Sequence, residues 1–477
     1  MNVIPETIVQ SPIKIRPVWL NDVHSQLNWT RVREVQTPHG AQDLQDAVRV
    51  ARKTKLQISC AGGRHAMGGQ QFGSGNLHLD LCDMNHVLSF DREHGILEVE
   101  AGIQWPQIID YLLKTQCDGP EAWGIRQKQT GADRLSIGGA LAANIHGRGL
   151  RMPPFVNDVE SFTIVTADGK LLECSRTHNR ELFRLTIGGY GLFGIVYSVR
   201  LRLSRRQRLR RVVKLTTTDE LAQEFQNRIQ EGCLFGDFQF AIDPQSDDFL
   251  RKGVFSCYEP VEFSSHASAH RQLTSNDWKR LLHLAHNDPT EAFNQYSRFY
   301  LSTNGQFYWS DTHQLSYYCD DYHREIDEAT RCLESGSEMI TELYVPRETL
   351  AAFMEAARVM LQRHNARPIY GTIRLIEEDR ETFLAWARRN FACIVLNLHC
   401  DHNPRPLAKS AHTFRGLIDL ALSFGGSFYL TYHRYATKGQ MLSAYPQLPY
   451  FLEEKNRWDA DGIFDSNWHR HLRALFS

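Results

Sequence analysis

Between a short apolar strand and a second strand the chain reads Ala61-Gly-Gly-Arg-His65-Ala-Met-Gly-Gly-Gln-Gln71, a glycine-dense loop with one central histidine. Gly62, Gly63, Gly68 and Gly69 free the backbone to take positive φ and to come close to a ligand, and successive N–H groups in such a turn form a nest for an anion. The diphosphate of a dinucleotide matches that chemistry. A second cluster, Thr130-Gly-Ala-Asp-Arg-Leu-Ser-Ile-Gly138-Gly139-Ala-Leu-Ala-Ala-Asn144-Ile-His146-Gly147, keeps side chains small, as a surface against a flat ligand requires. A third, Ile187-Gly188-Gly189-Tyr-Gly191-Leu-Phe-Gly194, leads into a strand in which Ile195, Tyr197, Val199, Leu201 and Leu203 alternate with Ser198, Arg200 and Arg202. Three such clusters exceed what turns alone need, and they make a flavin dinucleotide the leading cofactor.

From Asn28 to Gln207 the chain resembles the vanillyl-alcohol-oxidase family, whose FAD-binding fold is the p-cresol-methylhydroxylase type. The resemblance rests on Val35-Gln-Thr-Pro38, the Gly-Arg-His loop, the Ser-Ile-Gly-Gly-Ala run and Gly191-Leu-Phe-Gly-Ile-Val196. It implies an α+β architecture: a two-subdomain FAD-binding domain and an α+β substrate cap. The expected boundaries are an N-terminal segment 1–27, an FAD-binding domain 28–207, a cap 208–451 and a C-terminal return 452–477. In aldonolactone oxidases, alditol oxidases and cytokinin dehydrogenases the loop histidine is bonded to the flavin 8α-methyl carbon, so the resemblance makes His65 a covalent anchor. Ala66 stands where those relatives carry serine. The same resemblance places Ala61, Gly62, Gly63, Arg64, Ala66, Met67, Gly131, Ser136, Gly138, Gly139, Ala143, Asn144, His146, Ile195 and Tyr429 against FAD.

The tail Gly425-Gly-Ser-Phe-Tyr-Leu-Thr-Tyr-His-Arg434 is similar to that of decaprenylphosphoryl-ribose oxidase, which sets Tyr429 beside FAD and Tyr432 where that relative has a lysine. If hydride leaves a carbon bearing a hydroxyl, the oxygen-bound proton must go to a base. Tyr432, by alignment, and His433, by the range in which imidazoles titrate, are the two candidates. In a regular strand they point to opposite faces, so one of them faces the ring. On neighbouring strands Tyr370, Thr372 and Arg374 share a face, as do Asn397 and His399; these are candidate substrate-orienting groups, and Arg374 also suits a carboxylate or phosphate.

The elements that must hold these residues follow from periodicity. Leu44, Ala47, Val48 and Ala51 form one helical stripe, and Trp105, Ile108, Ile109, Leu112 and Leu113 another. Phe162–Val165, Asp168-Gly169 and Leu171–Cys174 read as a hairpin. Farther on, 338–344, 368–376 and 393–400 read as strands and 347–364 as a helix. The basic run Arg205–Arg211 reads as a solvated linker, and the aromatic stretch Tyr296–Tyr322 as packing.

With 477 residues, 42% hydrophobic content and a formal charge of −1, the chain has room for two or three domains and no basic field for nucleic acid. No signal-like start and no run of 18 apolar residues is visible, so the expected setting is cytoplasmic, without a transmembrane segment. Ten cysteines without C-x-x-C spacing suggest reduced thiols and no metal centre. A small-molecule substrate is the expected partner, and a homodimer is common among relatives. The leading function is FAD-dependent oxidation of a CH–OH group in a sugar, polyol or complex metabolite. By the resemblance, Ile145, before His146, would sit near the flavin, where a branched side chain could hinder oxygen, which keeps dehydrogenase and oxidase both open. A carbon–carbon double-bond reductase using a nicotinamide donor, and a non-catalytic flavin-binding protein, are the alternatives.

Overall fold

The computed structural model describes residues 18–262, 271–316, 322–330 and 335–477; most of the expected N-terminal segment, Cys319, Cys332 and residues 317–321 of the aromatic stretch lie outside the described residues. Helices and strands are mixed throughout, as an α+β fold requires.

Near the N-terminus a parallel three-stranded sheet runs in the order Glu34–Gln36, Leu77–Asp80, Ile58–Ala61. The helix Ala41–Thr54 buries the expected stripe Leu44, Ala47, Val48 and Ala51. That stripe shares one apolar cluster with Leu77, Leu79, Val165 and Ile195, which joins the small sheet to the next. The next is a five-stranded antiparallel sheet in the order Leu171–Ser175, Val159–Val165, Ile195–Arg202, Ile96–Glu100, Val87–Asp91. Its hairpin turns at Asp168-Gly169, where Gly169 has φ of 80°, a left-handed conformation that favours glycine. Ile195–Arg202 departs from simple alternation: its register slips twice against Val159–Val165, and Ser198 is buried, donating to Glu98 at 3.0 Å. In Trp105–Thr115 four of the five stripe residues are buried and Leu113 is exposed.

An antiparallel eight-stranded sheet dominates the second half. Its order is Phe307–Trp309, Arg208–Thr217, Lys252–Val261, Phe235–Phe240, Pro368–Ile376, Phe391–Asp401, Gly336–Pro346, Ser427–Phe428. Helices Leu350–Arg363 and Pro404–Ser423 pack on its strands. Side chains alternate across a strand, so Ile340, Glu342, Tyr370, Arg374, Val395 and Asn397 all fall on the face that lines the main cavity. The chain then returns: Ile58 N–H donates to Ile463 O at 2.6 Å and Asp465 N–H to Ile58 O at 3.0 Å, setting 463–465 against the edge of the small parallel sheet.

The run Arg205–Arg211 is not a linker. Ser204–Arg205 pairs with Trp123–Gly124, and Arg208 opens a ten-residue strand. Arg206 is buried and ion-paired with Asp311 at 2.9 Å, while buried Arg211 donates to Tyr258 Oη and sits over the rings of Tyr300 and Tyr308. A charge run on a strand alternates sides, so half of its guanidiniums turn inward and need partners that sequence spacing does not display.

The turn before Trp105–Thr115 depends on close backbone approach: a Cβ at Gly102 would lie 1.8 Å from Leu81 O and 2.8 Å from Met84 O. Gly102→Ala is expected to destabilise the fold by at least the ~1–3 kcal/mol typical of overpacking, read as a lower urea midpoint. Gly439→Ala, where a Cβ in a helix would meet only Thr437 Oγ1 at 4.0 Å, is expected to hold or raise it. Equal midpoints for the two variants would contradict the packing described.

Candidate active site

The three glycine-rich clusters and the inner face of the large sheet enclose a cavity of about 330 Å³. On the glycine-rich side the strand Ile58–Ala61 delivers the loop 61–66. Arg64 takes φ of 56°, and among the described residues the N–H groups of Gly62, Gly63, Arg64 and Ala66 form no hydrogen bond with protein. This is a set of donors with nothing to donate to, the arrangement of an anion nest. Gly63 is held by its surroundings, since a Cβ there would lie 2.2 Å from Arg134 O. Ser136 caps the helix Ile137–Ala143 by accepting from Gly139 N–H at 3.3 Å, and a Cβ at Gly138 would stand 2.9 Å from that of Ala101. The third cluster bends into the cavity through Tyr190 and Gly191, with φ of 53° and 75°.

His65 lines the cavity, and its Nδ1 lies 2.9 Å from His24 Nε2. Burial lowers the His65 pKa to about 3, so the ring is neutral at ordinary pH. Four buried polar atoms of lining residues have no hydrogen-bond partner: Gln71 Oε1, Thr186 Oγ1, Arg374 Nε and Asn397 Oδ1. Each costs ~1–3 kcal/mol when desolvated and unpaired, so the cavity is built for a polar occupant. Open donors on a glycine cradle and orphaned polar atoms along the walls fit a dinucleotide such as FAD.

On the sheet side of the cavity the buried carboxylate of Glu342 is the centre. Its Oε1 is 2.5 Å from His146 Nε2 and accepts from Tyr344 Oη, and its Oε2 accepts from Tyr432 Oη at 3.2 Å. Burial pushes this carboxyl up, but the His146 charge and the hydrogen bonds outweigh it and hold the pKa at about 2. The Tyr432 phenol is driven well above its ordinary range by burial and by Glu342, so it remains protonated. The charge of Arg374 faces the same side.

Of the residues singled out in the sequence, the cavity brings together His65, Ala61, Gly62, Gly63, Arg64, Ala66, Gly131, Ser136, Gly138, Gly139, Ala143, His146 and Tyr429 with Tyr432, Arg374 and Asn397. It does not reach six others, of which Thr372 is fully buried within its strand. Met67 N–H and O are spent on Thr431 and Asn28, Asn144 is bonded to Asp379 and to Val156 N–H, and Ile195 is strand core. His433 turns away to Thr341 Oγ1 at 3.2 Å and packs on Phe414 and Tyr435, with its pKa lowered by burial to about 3. His399 sits one cross-strand row beyond Asn397, against Glu338. Only Ser427–Phe428 of the tail is strand, so the opposite directions of Tyr432 and His433 come from an irregular turn. Sequence reasoning missed Glu342, His24, Thr186 and Gln71. The available signal for Glu342 was a lone acid inside the apolar run Met339–Val345.

Residues 33–175 match the family described as FAD binding domain. This segment of the chain is an FAD-binding domain. The chain is similar to the mitochondrial L-galactono-1,4-lactone dehydrogenase of Brassica oleracea, 31% identical over 42% of this chain and 33% of that protein. Cytokinin dehydrogenase 2 of Arabidopsis thaliana is 33% identical over 32% of this chain and 29% of that protein. L-gulonolactone oxidase of Bos taurus is 24% identical over 44% and 46%. The chain thus spans about a third to a half of the length of these relatives. Among the described residues no helix is long and apolar enough to cross a membrane.

Buried neutral histidines make the fold acid-sensitive. Burial holds His65, His78 and His433 at about 3, 4 and 3, whereas the unfolded chain takes up those protons near ~6.5. Stability is full above that value and falls as pH drops from about 6.5 towards 3, by ~1.4 kcal/mol per pH unit for each group. Urea titrations at pH 7.5, 6 and 5 should show the decline, and His433→Phe, which keeps the stack on Phe414, should make it shallower. An unchanged slope in that variant would remove His433 from the account.

Proposed function

We propose that this flavoprotein is an oxidoreductase that oxidises a CH–OH group in a sugar, polyol or related hydroxylated metabolite, passing the electrons on to oxygen or another carrier. The observation that carries the reading is a single cavity lined both by an open-donor glycine cradle and by the Glu342 carboxylate. Residues 28–207 with the return near 463–465 would form the FAD-binding unit, and the large sheet its cap; the bonds between Ile58 and 463–465 support that division.

The N–H groups of loop 61–66 would hold the diphosphate, with Gly138, Gly139 and Tyr429 along the walls. Bound there, FAD supplies a two-electron acceptor for hydride. His65 is the proposed covalent anchor: a neutral imidazole keeps the lone pair that such a bond needs, and burial keeps His65 neutral. Arg374, Tyr370 and Asn397 would orient the substrate through its hydroxyls. Glu342 Oε2 takes the hydroxyl proton, while His146 and Tyr344 on Oε1 fix the carboxylate and stabilise its charge. Ile340 and Val395 keep water from that side. The protonated Tyr432 phenol favours one further reading, proton donation to carbon during reduction of a double bond by a nicotinamide donor.

Acid-precipitated wild-type protein should keep its yellow colour in the pellet, and His65→Ala should release it to the supernatant. Colour released from both would overturn the covalent link and leave FAD binding standing. Glu342→Gln should slow substrate-dependent bleaching of the flavin by about 10²–10⁴-fold with the cofactor still bound. A rate within a few-fold of wild type would exclude Glu342 as the proton acceptor, and bleaching by NADPH without any alcohol would favour the reductase.

A further inference from the structure

A second cluster of ionisable side chains lies outside the proposed proton-transfer site. Glu338 and His399 face each other across neighbouring strands, one row beyond the Ile340–Asn397 pair that lines the cavity. His286 reaches them from the helix Ser275–Asn287 and His323 from the helix Tyr322–Thr330. The four side chains retain only 3–9% exposure. His286 Nε2 and His399 Nδ1 are each 3.1 Å from Glu338 Oε1, and His323 Nδ1 is 2.6 Å from Oε2. Among the described residues, the basic side chains around Glu338 are these histidines.

Hydrogen bonding alone does not account for this geometry. His399 Nε2 lies 3.2 Å from Asp401 Oδ1, so both ring nitrogens face carboxylate oxygens. His286 Nε2, buried and at the same 3.1 Å, makes no hydrogen bond, because it is out of line for one. A buried imidazole nitrogen without a hydrogen-bond partner, a second imidazole nitrogen and a carboxylate oxygen thus share one small volume, a donor set that a cation would complete. A histidine whose second nitrogen is held by a carboxylate is also the usual support of a metal ligand.

We propose that His286, Glu338 and His399, with His323 as a further donor, bind a divalent transition-metal cation beside the cavity. The three donor atoms lie within 4.8 Å of one another. Donors 3.1 Å apart, each about 2.1 Å from a shared ion, subtend roughly 95°, nearer to octahedral or square-pyramidal coordination than to a tetrahedron. The imidazole-rich set suits zinc, manganese, iron or nickel and not calcium or magnesium, which prefer all-oxygen ligands. The ion would tie two helices to the sheet. It would also order one cavity wall, because Tyr322 both lines the cavity and donates its hydroxyl to Glu338 Oε2. The site stands on its own ligands and does not rest on the oxidoreductase reading.

The test is metal uptake by the full chain as purified, stripped with a chelator and titrated with Zn²⁺ alone, followed by calorimetry and elemental analysis. One equivalent per chain is expected, with affinity falling at least 100-fold in His286→Asn/His399→Asn while the circular dichroism and flavin spectra stay unchanged. No uptake by the wild type, or equal uptake by the variant, would overturn the site. Should the double variant not fold, wild type loaded with Co²⁺ decides: visible bands shifted by nitrogen ligands support the site, and bands like those of aqueous Co²⁺ refute it.

Discussion

A charge buried between two parts of a protein has to be matched where it lies, and Glu342 is matched from both sides. His146, just beyond the second glycine-rich helix, meets one carboxylate oxygen, while Tyr344 and Tyr432 come from the sheet side and the tail. Removing either half would leave an unpaired charge in a dry site, which typically costs ~3–5 kcal/mol. The same contact zone carries other polar ties: Tyr429 Oη donates to Ala143 O at 2.6 Å, Trp386 Nε1 to Asn144 O at 3.0 Å, and Asn144 Nδ2 to Asp379 at 2.9 Å. These bonds fix how the large sheet sits over the glycine-rich segments, and so fix the shape of the cavity between them.

The opposite wall is governed by absence of side chains. Gly63 and Gly138 are small because Arg134 O and the Ala101 methyl occupy the space a Cβ would need. Close packing of backbone on backbone leaves loop N–H groups facing the cavity with no internal partner. The positive φ of Arg64 and Tyr190, each a strained choice for a residue with a side chain, persists because the surrounding turns over-determine it. Binding capacity and local strain therefore share one cause.

Much of this was legible from residue order. Helical stripes such as Leu44–Ala51, the Asp168-Gly169 hairpin and the strand 368–376 follow from periods and turn residues that act over a few positions. The glycine clusters announced a ligand cradle for the same local reason. Arg205–Arg211 was not legible as strand, because the partners that neutralise its inward guanidiniums, Asp311 and Tyr258, lie about 50 to 105 positions away. Nor did spacing reveal the histidines around Glu338, which come from three separate elements.

By itself, the sequence determined the local frame: which segments are helix or strand, and that an FAD-type cradle is present, since these depend on neighbours in the chain. Only the tertiary structure decided the chemistry on the sheet side of the cavity. Tyr432 and His433 are adjacent in sequence, yet one faces the cavity and the other packs on Phe414. Burial keeps the first protonated and the second neutral, and it is Glu342, 90 residues away, that carries the charge. Ionisation depends on what surrounds a group in three dimensions, on desolvation and on partners brought from distant strands, and no one-dimensional pattern encodes it.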